Sequence, residues 1–168
     1  NNAWITLVGI VTGITGFYPL KILWDNAVSL GTSAAVVITY GGAWHFFRFI
    51  LPHGVPELTA VFISIAAGLR IFWAFLVPGP ASRFQAVGQA ARAAMTVAVG
   101  CAILLAGSGF LVGFVTASGL SAALKLFLGP LLTAAAWAYI LLLGRRADRA
   151  GLSSDVGTDA GYYQPVSG

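Results

Sequence analysis

A chain of 168 residues with 58% hydrophobic and only 8% charged side chains, at a mean hydropathy of +0.88, cannot hide its apolar surface in a water-soluble fold of that size. Ordinary soluble domains carry roughly a quarter charged residues, so lipid must cover the remainder, and soluble enzymes and nucleic-acid-binding modules are excluded. The net charge of +4 does not argue for nucleic acid, because the basic residues stand at the ends of apolar runs, where membrane topology puts them.

The runs are about 20 residues long, which fits helices crossing a bilayer and not the alternating ten-residue segments of a β-barrel. The fold expected is all-α: a polytopic transmembrane helix bundle of about five spans, near 4–24, 27–51, 57–77, 93–115 and 121–143. If the first or fourth run is re-entrant, there are four.

The first run, Trp4 to Trp24, covers about 30 Å at ~1.5 Å per residue. Pro19 is expected to kink its last turn. Lys21 and Asp25 make an i,i+4 pair at its end, and Asp25-Asn26 supplies turn and cap chemistry for the second run. That run ends in Trp44, His45, Phe46, Phe47, Arg48 and Phe49, an interfacial cluster of amphipathic rings with a snorkelling arginine. Pro52-His53-Gly54-Val55-Pro56 is expected to break the helix, leaving Glu57 in the first turn of the third run, where the helix dipole favours an acid. The third run carries Arg70 near its end and stops at Pro78-Gly79-Pro80. Ser82 is a candidate N-cap for an amphipathic segment, Arg83 to Arg92, leading into the fourth run. The fifth begins near Ser121, contains Pro130 and ends at Arg145, Arg146 and Arg149. Residues 150–168 are polar and aperiodic, a tail expected to be disordered or held by a partner. Asn rather than Met at position 1 suggests a processed or trimmed chain.

Counting basic residues gives an N-out, C-in orientation. Lys21, Arg83, Arg92, Arg145, Arg146 and Arg149 fall inside, with Arg70 in the inner half, while Arg48 and Lys125 fall outside. That pattern suits a bacterial plasma membrane.

Small residues are the first candidates for function. Gly9 and Gly13, extended by Gly16, and Gly109 and Gly113, extended by Gly100 and Gly107, form GxxxG-type faces that let helix backbones approach closely. Thr12, Thr15, Ser64, Thr96 and Ser108 are expected to serve as interhelical hydrogen-bonding groups. Arg70 is a possible intramembrane charge site: a guanidinium inside a span faces protein, water or headgroups, and it either meets an anion or snorkels to the interface. His45, His53 and Glu57 include metal-ligand residue types, and Gly41 one turn before His45 leaves room for a macrocycle. Their spacing is poor for a metal, and no second intramembrane histidine completes a bis-His haem. No metal and no cofactor are therefore expected. Cys101 lies within a run and excludes a disulfide framework.

No nucleophile elbow, zinc-protease motif, phosphate loop or intramembrane acid pair is present. The expected function is a non-catalytic membrane subunit that packs into a larger complex, its partners being the lipid bilayer and other membrane subunits or copies of itself. Two further classes remain: a homo-oligomeric channel or transporter, and a pigment- or haem-binding subunit. Short-looped spans with interfacial arginines resemble, in architecture alone, the peripheral helices of mechanosensitive channels and many accessory subunits.

Overall fold

The computed structural model describes residues 2–116 and 118–151, which contain no strand. The elements are α1 (Asn2–Val11), a 3-10 turn (Thr12–Thr15), α2 (Phe17–Gly41), α3 (Ala43–Leu76), α4 (Arg83–Phe110) continuing into a π turn (Leu111–Thr116), and α5 (Ala122–Arg149). Four helices are long and apolar enough to cross a membrane: Phe17–Gly41, Ala43–Leu76, Arg83–Val115 and Ala123–Arg149. Asn2–Thr15 is a shorter apolar helix. The polar tail from residue 152 lies outside the described residues.

Helix α3 is the axis of the bundle. Gly9 lies against Ser64 and Ile65, Gly13 against Gly68 and Gly16 against Phe72, so α1 runs parallel to α3. Ile22 then packs with Val61 and Ile65, so α2 turns back along the same helix. Ala90 and Ala94 meet Ala67 and Ile71, while Cys101 and Leu104 meet Ala60, which sets α4 antiparallel to α3. Gly129 abuts Pro52, and Ala136 packs on the Ala60–Cys101 cluster, so α5 runs parallel to α3. Many of the buried positions are small, among them Ala60, Ala67, Ala90, Ala93, Ala94 and Ser64. In hydrocarbon no hydrophobic drive pulls helices together, and close van der Waals packing through such residues supplies the association.

The helix boundaries differ from those expected at three places. The break in the first run falls at Gly16 rather than at Asp25-Asn26. Gly16 takes φ 66°, a left-handed conformation that residues with a Cβ avoid, and its N–H closes on Gly13 O at 2.9 Å. Asp25 and Asn26 stay inside α2, with Lys21 Nζ donating to Asp25 Oδ2 at 2.5 Å and Asn26 Nδ2 to Ile22 O at 2.9 Å. Pro19 accordingly sits in the first turn of α2, where its missing N–H removes no intrahelical bond.

The second break is at Gly42, φ 80°, and the third difference follows from it. Helix α3 runs unbroken through Pro52 and Pro56, both fully buried. A proline in mid-helix frees the carbonyl four residues earlier, here those of Arg48 and Pro52, and membrane helices tolerate this when a neighbour covers the exposed backbone. Helix α5 does so: Gly129, lacking a side chain, seats its backbone directly on the Pro52 carbonyl.

Other termini match their local chemistry. Ser82 caps α4 in a reciprocal box, Gln85 N–H donating to Ser82 Oγ at 3.3 Å and Ser82 N–H to Gln85 Oε1 at 3.0 Å. The helix is continuous from Arg83, so the expected amphipathic lead-in and fourth span are one element. Ser121 Oγ accepts from Leu124 N–H at the start of α5, which extends to Arg149.

Candidate functional site

The glycine seam joins α1 to α3. A Cβ at Gly13 would stand 2.5 Å from Gly68 Cα, and one at Gly68 would strike the Gly9 carbonyl. A Cβ at Gly9 would make only ordinary contact with Ser64 Oγ at 3.5 Å, whereas one at Gly16 would strike the Phe72 ring at 2.7 Å. Gly100, Gly109 and Gly113 behave differently: a Cβ at any of them meets nothing of this chain within 4 Å. Reading the sequence missed Gly68 and Gly129, the two positions where backbones come closest. Both were visible as small residues inside a run, in Ala66-Ala67-Gly68 and Gly129-Pro130, but neither belongs to a GxxxG pair.

A polar cluster lies at one end of this seam, where α1, α3 and α4 converge. Glu57 is not in a first turn, because α3 begins at Ala43; it is an acid in the middle of a membrane helix. Asn2 Nδ2 donates to Glu57 Oε2 at 2.5 Å, and Ser108 Oγ stands 3.1 Å from both Glu57 Oε1 and the His53 carbonyl. Both partners of the carboxyl group are therefore neutral donors. His53 stacks edge-on against Phe49 with ring centroids 5.5 Å apart, and its Nδ1 is buried without a hydrogen-bond partner. Buried polar groups inside a bilayer are costly and tend to mark function.

His45 does not join this cluster. It is exposed, and its ring lies beside Gly41. Among the described residues no three His, Cys, Asp or Glu side chains come together. Of the hydroxyls singled out, Thr12, Thr15 and Ser64 bond within their own segment, to Val8 O, Thr12 O and Val61 O. Ser108 reaches across helices, as does Cys101, whose Sγ lies 3.5 Å from Ala60 O.

Charges separate by end. Arg48 and Lys125 each precede the Pro52–Gly129 contact by one turn. Arg70, Arg83 and the Arg145, Arg146, Arg149 group lie toward the opposite end, where the Arg83 guanidinium sits 5.7 Å from the Phe75 ring centroid. Arg70 is exposed at the edge of a cavity of about 260 Å³ between α3 and α4, lined by Ile63, Ala66, Ala67, Ala90, Ala93, Ala94 and Val97.

Comparison with known proteins gives a family match. The model of a family described as SpoIIM, stage II sporulation protein M, matches residues 1–117, which take in α1 to α4 with the π turn and stop before α5. No curated protein and no solved structure matches the chain.

Proposed function

The chain belongs to the SpoIIM family, stage II sporulation protein M, and on that premise we propose that it is a non-catalytic integral membrane subunit that packs into a larger membrane complex. The family's description names sporulation. The observation that carries the reading is the uneven use of helix surface. Within its crossing window α3 is 33% buried, whereas α2 is 6% and α5 11% buried, and the Gly109–Gly113 pair of α4 faces open space. Small residues without an internal neighbour are what another helix needs in order to approach. The gathering of Arg70, Arg83, Arg145, Arg146 and Arg149 at one end supports a bacterial plasma membrane location with the C-terminus cytoplasmic.

Chemical crosslinking in native membranes, followed by gentle solubilisation and mass spectrometry, tests this. Helices of other proteins, or of a second copy, should crosslink to α2, α5 and the 109–113 segment. A chain that stays monomeric and uncrosslinked in both membranes and nanodiscs overturns the reading.

A second reading, a homo-oligomeric channel or transporter, draws support from Asn2, His53, Glu57 and Ser108 clustering inside the bundle. It requires solute flux into liposomes that Glu57→Gln alters; equal, background-level flux for both proteins across a broad panel of ions removes it.

A further inference from the structure

The cavity between α3 and α4 has one apolar wall from each helix and one charge. Five of its eight lining residues are alanine, with Ile63 and Val97 at the end away from Arg70. The run from Ile63 to Arg70 is about 10 Å of helix at ~1.5 Å per residue. Alanine explains the hollow: the side chains are too short to fill the space that two helices of this length leave on one side of their contact line, while Ala67, Ala93 and Ala94 form its buried floor. Arg70 closes one end. Its side chain is exposed and makes no hydrogen bond or ion pair with any described residue, whereas Arg83 at the same end already lies over Phe75.

We propose that this groove is a binding site for one anionic phospholipid, an acyl chain lying on the alanine floor and the phosphate paired with Arg70. Shape and charge agree on the occupant. An acyl chain fills an apolar slot that side chains leave open, and a guanidinium at its mouth matches a phosphate with two parallel N–H···O bonds. Depth agrees as well. Arg70 lies six residues before the end of α3, just inside Phe72, Trp73 and Phe75, so its long side chain reaches outward to headgroup level. Near this end the C-terminal stretch of α5 carries Arg145, Arg146 and Arg149 beside Asp148, a field that favours lipids of net negative charge over zwitterionic ones.

The full chain in nanodiscs of phosphatidylcholine doped with phosphatidylglycerol provides the test, with retained lipids counted by native mass spectrometry after release into detergent. The wild type should retain phosphatidylglycerol about fivefold above its share of the bilayer, the equivalent of the ~1 kcal/mol that one interfacial basic residue contributes. Arg70→Ala should abolish the enrichment, Arg70→Lys should keep part of it, and Arg83→Ala should leave it in place. Ala66→Phe fills the slot from an exposed position without disturbing the floor, and it should also abolish retention. Equal retention of the two lipids by the wild type overturns the proposal, as does undiminished enrichment in either Arg70→Ala or Ala66→Phe. So does a crosslink from position 70 to an acidic residue of another protein with no lipid retained.

Discussion

Gly13 and Gly68 show how little room a single position leaves. Each Cβ would enter the other helix's backbone, and neither backbone can yield without parting α1 from α3. Gly13→Ala and Gly68→Ala should each lower stability by ~1–3 kcal/mol, the usual cost of overpacking, read as a drop in melting temperature in a fixed detergent. Gly100→Ala is the control: it meets nothing within 4 Å, and removing a helical glycine should leave the melting temperature unchanged or slightly raised. Ser108 offers a second residue-scale test. Ser108→Ala deletes the bridge between α4 and both His53 O and Glu57 and should cost ~0.6–1.7 kcal/mol, from the average to the largest value typical of interhelical bonds in lipid. A loss near zero would mean that Glu57 finds another donor.

At the scale of elements, α5 is tied to the rest of the bundle through Gly129 on Pro52 and Leu132 against Gly107. Gly129→Leu should push α5 away while α1 to α4 remain packed. The measurement is a disulfide between Gly107→Cys and Leu132→Cys in a Cys101→Ser background: it should form readily in the parent and fall several-fold when Gly129→Leu is added. Unchanged crosslinking would show that α5 is held elsewhere. Termini set by side-chain chemistry were legible in the sequence, as the Ser82 N-cap, the Pro78-Gly79-Pro80 break and the start of the last helix near Ser121 show; the reciprocal bond from Gln85 and the capping role of Ser121 were not. Those set by tertiary context were not. Pro52 and Pro56 read locally as breakers because the neighbour that covers their freed backbone is 77 residues further along the chain at Gly129. Gly16 and Gly42 read as ordinary membrane glycines because nothing local announces a positive φ. A break at Pro52–Pro56 makes Glu57 read as a helix start and hides its cluster with Asn2 and Ser108.

Across the whole molecule, the distribution of basic residues sets direction. A fluorescent protein that matures only in the cytoplasm, fused after Arg149, should be bright, and one inserted within residues 118–121 should be dark; the reverse pattern would invert the proposed topology. The length of α3 has a further consequence for where the protein can reside. Its 34 residues measure about 51 Å, against a hydrocarbon layer of ~30 Å. If Pro52 to Phe72 fills that layer, the stretch from Ala43 to Leu51, with Trp44, His45 and Arg48, forms a collar at the headgroups of one leaflet. A thicker bilayer would draw this collar into oil and a thinner one would lift it clear, so the helix acts as a gauge of membrane thickness.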